Sequence, residues 1–327
     1  MERVLVTGGA GYIGSHACKA LASAGYLPVA FDNLTSGREA AVRYGPLERG
    51  DLLDPERLAA VFAVHRPVAV MHFAALSEVG QSVREPGRYW RVNVAGSLNL
   101  VEASLAAGCR SFVFSSTCAT YGEHDGIELT EATPQNPVNP YGASKRAIED
   151  MLRGFEASHG LRHVIFRYFN VAGADPDGEL GECHEPETHL IPLMLEAIDG
   201  LRPALTVFGD DYDTPDGTCI RDYVHVSDLV DAHVLGLRWL AEGGGSRVFN
   251  LGTGCGFSVR EVIEHSRVVT NRAVPHVIGP RRPGDCARLV CGGQSASDTL
   301  GWRPERSNLS QMIADAWRWH RSRQGAR

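Results

Sequence analysis

The segment Thr7-Gly8-Gly9-Ala10-Gly11-Tyr12-Ile13-Gly14 limits this chain more than any other. It follows Val4-Leu5-Val6, which reads as a buried strand, and it opens a helix-like stretch over 14–24 with small residues on its inner face. Gly9, Gly11 and Gly14 satisfy G-x-G-x-x-G, and Gly8, Gly11 and Gly14 satisfy G-x-x-G-x-x-G. Glycines so placed permit a tight turn, close approach of a diphosphate and close helix-on-sheet packing. The helix start also offers unpaired N–H groups and a positive dipole end to an anion. A glycine pattern alone is weak; an acid about 20 residues on, at the end of a second strand, makes it specific. Asp32, closing Pro28-Val29-Ala30-Phe31, is that acid. A carboxylate there accepts hydrogen bonds from a ribose diol and repels a 2′-phosphate, so the expected cofactor is NAD rather than NADP. Asp51, in Gly50-Asp51-Leu52, is a further candidate for the adenine end, although its spacing also suits a helix cap.

Strand-like and helix-like segments alternate around this loop: strands near 68–73, 111–115 and 163–167, helices near 55–65, 92–107 and 141–158. Such alternation predicts a parallel sheet covered by helices on both faces. After Asn170 it breaks. Residues 173–218 are rich in Gly, Pro, Asp and Glu with one helix-like stretch at 191–198, and regular signals resume at 223–226 and 229–241. The expected fold is α/β, a Rossmann-type doubly wound parallel sheet with a smaller α/β substrate-binding domain. The expected boundaries are 1–172 for the NAD-binding domain, with a return segment about 222–250, and 173–221 plus 251–327 for the second domain.

A length of 327 residues exceeds what one hydrophobic core usually serves. A net charge of −7 gives the whole chain no attraction for nucleic acid or an anionic membrane, and no apolar run approaches a membrane span. The eight cysteines are scattered, with no C-x-x-C and no paired His/Cys spacing of a zinc site. Reduced thiols and a cytoplasmic location are expected, with no metal. Met1-Glu2-Arg3 runs straight into a strand, so no signal peptide is expected.

Tyr141-Gly142-Ala143-Ser144-Lys145 places a phenol and an ammonium on one helical face. A free phenol titrates near ~10 and is a poor base at neutral pH; a nearby cation lowers that value, and a nicotinamide cation lowers it further. Such a tyrosine can take a proton from a sugar hydroxyl while hydride leaves the same carbon. Ser115-Ser116-Thr117 ends a strand at its carboxyl edge, where ligands bind in open α/β sheets, and Thr117 can bond the reacting oxygen.

The glycine motif, Ser115-Ser116-Thr117, Tyr121-Gly122, Pro140-Tyr141 and Lys145 resemble the extended short-chain dehydrogenase/reductase family. His72-Phe73-Ala74-Ala75, Val79-Gly80-Gln81-Ser82, Asn93, Arg167-Tyr168-Phe169-Asn170, His189-Leu190-Ile191-Pro192 and the stretch from Arg221 to Val226 narrow the resemblance to its UDP-glucose (UDP-galactose) 4-epimerases, from Val4 to about Trp302. The resemblance implies an isomerase with tightly bound NAD that passes through a transient 4-keto sugar. It implies Tyr141 as catalytic base, Lys145 as its electrostatic partner and NAD ligand, and Thr117 beside them. NAD contacts are expected at Gly8, Gly11, Tyr12, Ile13, Gly14, Asp32, Asn33, Asp51, Leu52, Phe73, Ala74, Ala75, Asn93, Ser115 and Tyr168. The second domain becomes a nucleotide-sugar-binding domain, with Asn170, His189, Leu190, Arg221, Arg282 and Asp285 around the UDP-sugar. A homodimer built on the helices near 92–107 and 141–158 is also implied.

A 4,6-dehydratase on this fold places an Asp-Glu pair after the threonine; Cys118 and Ala119 stand there and cannot do that work. A UDP-pentose 4-epimerase and another NAD-dependent nucleotide-sugar oxidoreductase stay open. An NAD-sensing protein would need neither Tyr141 nor Lys145. Cys118 is expected to pack rather than react. Leu289 falls where some relatives carry a larger tyrosine, and the smaller side chain leaves room for an N-acetyl group. The segment Val290-Cys291-Gly292-Gly293-Gln294 has no account from sequence.

Overall fold

In the computed structural model, which describes all residues except 125, 283–284 and 325–327, β1 (Arg3–Thr7) turns Val4 and Val6 into one apolar cluster and Leu5 into another. That is the period-two alternation of extended chain, with both faces covered. The elements that follow are α1 (Tyr12–Ser23), β2 (Leu27–Asp32), β3 (Leu47–Arg49), α2 (Pro55–His65), β4 (Ala69–His72), α3 (Val79–Arg84), α4 (Pro86–Tyr89), α5 (Gly96–Ala106), β5 (Ser111–Thr117), α6 (Pro140–His159) and β6 (Arg162–Tyr168). Then come β7 (Asn170–Ala172), α7 (Leu190–Ile198), β8 (Leu205–Phe208), β9 (Ile220–His225), α8 (Val226–Ala241), β10 (Arg247–Leu251), β11 (Gly256–Ser258), α9 (Val259–Thr270), β12 (His276–Gly279), β13 (Arg288–Leu289), α10 (Ser295–Leu300) and α11 (Leu309–Gln324).

Seven strands form one parallel sheet in the order β3-β2-β1-β4-β5-β6-β10. The expected doubly wound sheet is therefore present. Its first cluster joins the sheet to α1 and α8 through Leu21, Leu229 and Leu237, and its second to α2, α5 and α6 through Phe62, Leu100 and Ile148. Strand order reverses between β1 and β4, which leaves a crevice beyond their carboxyl ends. The smaller part holds β9 between β11 and β13, with β7 also paired to β9, and a separate β8–β12 pair. A third cluster that includes Met194, Tyr223, Val262 and Ile313 packs α7, α9 and α11 against these strands. β9 sits in the smaller sheet, whereas α8 and β10 return to the large one.

Local chemistry fixes the helix starts. Asp54 accepts from Arg57 N at 3.0 Å with Pro55 in the first turn of α2, and Asn139 accepts from Gly142 N at 2.8 Å with Pro140 opening α6. The expected helix over 92–107 is interrupted. A π-helical turn spans Trp90–Ala95 before α5, and it turns the Asn93 amide inward. Segment 290–294 pins the two parts together: Leu129 exchanges backbone bonds with Val290 and Gly292, and Asp222 accepts from Cys291 N.

One buried network holds α6 to the sheet. Glu149 and Arg167 are essentially without exposure. Arg167 Nε donates to Glu149 Oε1 at 3.0 Å, Ser116 Oγ donates to the same oxygen at 2.6 Å, and Arg167 Nη1 donates to Tyr121 Oη, which donates in turn to Asn250. Removing one partner strands a buried charge, so Glu149→Ala should lower unfolding stability by about 3–5 kcal/mol in thermal or urea melts. Arg153→Ala, which removes the outer and partly exposed contact to Glu149, should cost under about 1 kcal/mol. Replacing Glu149 and Arg167 together by leucine should recover much of the single-site loss, because no charge is then left unpaired.

Candidate active site

A cleft of about 1000 Å3 opens at the carboxyl edge of the large sheet and runs toward the smaller one. At one end lies the turn from β1 into α1. Gly8 is in the left-handed region at φ +73°, and a Cβ on Gly14 would fall 2.1 Å from Gly8 O, so the loop closes only with hydrogens there. Gly11 precedes α1 without a side chain to cap it, leaving the first-turn N–H groups free for an acceptor. Asp32 is held by Ala10 N at 3.0 Å and Leu34 N at 2.8 Å; its burial pushes the carboxyl upward while these bonds pull it back. Asn33 donates to Asp51 at 2.8 Å, and Asp51 also accepts from Leu53 N in a turn; the cap of the next helix is Asp54, not Asp51. Gly8, Gly11, Tyr12, Ile13, Gly14, Asp32, Asn33, Asp51 and Leu52 all line the cleft, as do Phe73, Ala74 and Ala75 after β4. A bare helix N-terminus followed by an oriented carboxylate fits a dinucleotide, which needs donors at its diphosphate and an acceptor at a ribose diol.

The chemistry-bearing residues meet midway. Gly142 lets α6 approach the turn after β5 closely; a Cβ there would lie 2.3 Å from Ala119 O. This brings Tyr141 beside Thr117, and the threonine hydroxyl favours the phenolate form. The expected lowering of the phenol by Lys145 is not what dominates. Burial comes first and holds Tyr141 above its ordinary value, with the neighbouring Tyr168 pushing the same way. Lys145 Nζ donates to Ser115 O at 2.8 Å, and burial lowers its ammonium to about 7. Tyr168 Oη meets Ser115 Oγ, and Tyr89, fully buried, packs edge-on to Tyr141 with ring centres 6.5 Å apart. Ser115, Thr117, Tyr141, Lys145 and Tyr168 all face the cleft. Cys118 packs as expected: it is buried, and its thiol is pushed up to about 12.

Toward the smaller sheet, Asn170, His189, Leu190, Arg221, Asp285 and Leu289 line the wall. Arg221 is clamped by Asp285 Oδ1 at 3.0 Å and Cys286 O at 3.0 Å, which orients its guanidinium.

Two expected contacts lie elsewhere. Asn93 is fully buried and spends its amide on Leu76 N, Leu76 O and Ser144 Oγ, so it braces the loop after β4 rather than lining the cleft. Arg282 stacks over Phe208 at 3.9 Å beside a separate small hollow; the aromatic ring draws the cation away from the cleft. Sequence reasoning missed Glu149 and Glu182. Glu149 stood four residues beyond Lys145 on the same helical face, which was a readable signal; Glu182 sits in a loop and had none.

A model of the NAD dependent epimerase/dehydratase family matches residues 4–252. The chain is 51% identical over 319 residues to UDP-glucose 4-epimerase of Rhizobium leguminosarum bv. trifolii, covering 98% of this chain and 97% of that one. The structure is similar to UDP-glucose 4-epimerase from Brucella ovis in complex with NAD, with TM-score 0.94, 48% identity and coverage of 97% and 98%. It is also similar to the Stenotrophomonas maltophila UDP-glucose-4-epimerase with bound NAD and formylated UDP-arabinopyranose, with TM-score 0.96, 39% identity and full coverage of both chains. The chain belongs to the NAD dependent epimerase/dehydratase family, among its UDP-glucose 4-epimerases.

Proposed function

We propose that Tyr141, Thr117 and Lys145 carry out the NAD-dependent 4-epimerisation that interconverts UDP-glucose and UDP-galactose. The carrying observation is that these three side chains meet in one cleft between a bare helix N-terminus with Asp32 and a clamped Arg221. NAD, when bound, supplies the hydride acceptor and donor at the sugar carbon and a positive ring that lowers a neighbouring phenol's pKa. Tyr141 takes the 4-hydroxyl proton as hydride leaves the same carbon and later returns it to that oxygen as hydride comes back to the carbon's other face, and Thr117 holds the oxygen throughout. Lys145, anchored on Ser115 O, stands where it can hold a ribose hydroxyl. Arg221 offers two parallel N–H groups to the substrate diphosphate, a fork that matches its oxygens. Anchoring the diphosphate lets the 4-keto sugar turn without leaving the cleft.

The two-domain division, with nucleotide sugar held by the smaller part, belongs to the same reading. So does a homodimer: Val83 and Trp90 are exposed near α6 and supply apolar area for a second copy. Eight free cysteines suit a reducing compartment, and the cytoplasm is the proposed location. No helix among the described residues is long and apolar enough to cross a membrane.

A wider sugar range is a second reading, and Leu289 supports it. It is half-buried on the cleft wall against the small cluster of Cys118 and Phe169, leaving the sugar a short aliphatic neighbour. The pentose ligand of the Stenotrophomonas protein keeps UDP-pentoses among the substrates to be assayed.

Tyr141→Phe should cut interconversion by about 10²–10⁴-fold in an assay that resolves the two nucleotide sugars with NAD supplied; near-full turnover would remove the proposed role. Because burial raises the phenol, nucleotide-free wild type and Tyr141→Phe should show the same tyrosinate absorbance up to about pH 10. A wild-type excess near pH 8 would contradict the burial argument. Leu289→Tyr should lower turnover of UDP-N-acetylgalactosamine relative to UDP-galactose by about 10–200-fold, and an unchanged ratio would clear Leu289 of that role.

A further inference from the structure

Between β7 and α7 the sequence Glu182-Cys183-His184-Glu185-Pro186-Glu187-Thr188-His189 folds so that four side chains converge. One donor atom each from Glu182, His184, Glu187 and His189 lies within 4.8 Å of all the others. We propose that these four residues form a binding site for a divalent transition-metal ion of the zinc class, on the cleft wall and apart from Tyr141, Thr117 and Lys145, with His189 serving the metal rather than the UDP-sugar.

The donor geometry supports it. Glu182 Oε1 lies 3.1 Å from His184 Nδ1, which is 3.8 Å from Glu187 Oε1; that oxygen is 3.7 Å from His189 Nδ1. Zinc bonds of about 2.0–2.2 Å in a tetrahedron set donor-to-donor edges of roughly 3.3–3.6 Å, which these spacings bracket. The set holds nitrogen and carboxylate oxygen, the ligands zinc takes. Both carboxylates are more than nine-tenths buried, and Glu187 is oriented by backbone N–H groups of Thr188 and His189 at 2.8 and 3.0 Å. Orientation of a ligand by outer hydrogen bonds is usual at metal sites.

An unsatisfied donor points the same way. His184 Nδ1 is buried and makes no aligned hydrogen bond, although it lies close to two carboxylates. His189 Nδ1 crowds the same Glu182 oxygen. Both imidazole nitrogens converge on one Glu182 oxygen, and a dication shared by four donors satisfies both nitrogens and both carboxylates. The two carboxylates also act on Tyr12, the residue after Gly11, so the cluster flanks the glycine turn. Uncompensated, their charge opposes an anion at the start of α1; a bound dication removes that opposition.

The test measures metal rather than turnover, so it stands apart from the reading of the reaction. Full-length protein is stripped with a chelator, loaded with zinc, dialysed and counted by elemental analysis beside the His184→Asn/His189→Asn variant. Wild type should retain about one ion per chain more than the variant. Equal retention by both would overturn the proposal, including retention on cysteines alone, as would retention by neither. Should the variant fail to fold, zinc-edge anomalous scattering from wild-type crystals decides. A peak among the four donors upholds the site; a peak elsewhere, or none, leaves two histidine–glutamate ion pairs and no metal.

Discussion

Burying Glu149 and Arg167 between α6 and the sheet strips both of water, and the structure returns what hydration supplied with bonds from Ser116, Tyr121 and a second arginine. The pair does more than offset its own desolvation. Tyr141, Lys145 and Glu149 recur at four-residue intervals, so they share one helical face. Fixing Glu149 against β5 and β6 fixes the rotation of α6 about its axis, and with it where the phenol and ammonium point. An apolar contact at Glu149 would tolerate a turn of the helix by some degrees. A carboxylate gripped from several directions does not.

The same exclusion of water governs the cleft. Burial drives both Tyr141 and Lys145 toward their neutral forms, the phenol up and the ammonium down. Charge is therefore costly midway along the cleft and inexpensive at its ends. The start of α1 carries unpaired N–H groups, and Arg221 keeps its guanidinium by leaning on Asp285 and two carbonyls. This division suits a ligand with charged phosphates at its anchors and a neutral sugar at its centre. It also places the Tyr141 phenol where a small change in nearby charge has a large effect, because little solvent screens it.

The doubly wound sheet was legible because it rests on short-range rules: alternation of apolar segments, glycines after the first strand, an acid after the second. The helix over 55–65 was legible for the same reason, and Asp54 caps it with Pro55 in its first turn. The smaller part was less legible. β9 pairs with strands more than 30 residues away on either side, and nothing local in Arg221–Val224 states which sheet it joins. Arg282 and Asn93 show the limit at the site. Motif spacing brings a residue near the cleft, but Phe208 draws one side chain outward and Leu76 with Ser144 draws the other inward. Those partners are distant in sequence, and only the packed chain brings them into reach.

How the two parts are joined bears on what the sugar must do. β6 ends at Tyr168 and β7 begins at Asn170, so a single residue, Phe169, separates the large sheet from the smaller one. β9 ends at His225 and α8 begins at Val226 with no residue between. Phe169 and His225 are buried, and Asn170 pairs with Tyr223, which ties these two crossings together. Two crossings this short leave little chain there to absorb large changes of φ and ψ. Presenting first one face of a sugar ring and then the other to one bound nicotinamide then falls to motion of the sugar inside the cleft. Its volume of about 1000 Å3 gives that motion room, and Arg221, held in place by Asp285, is a fixed cation at one end of it.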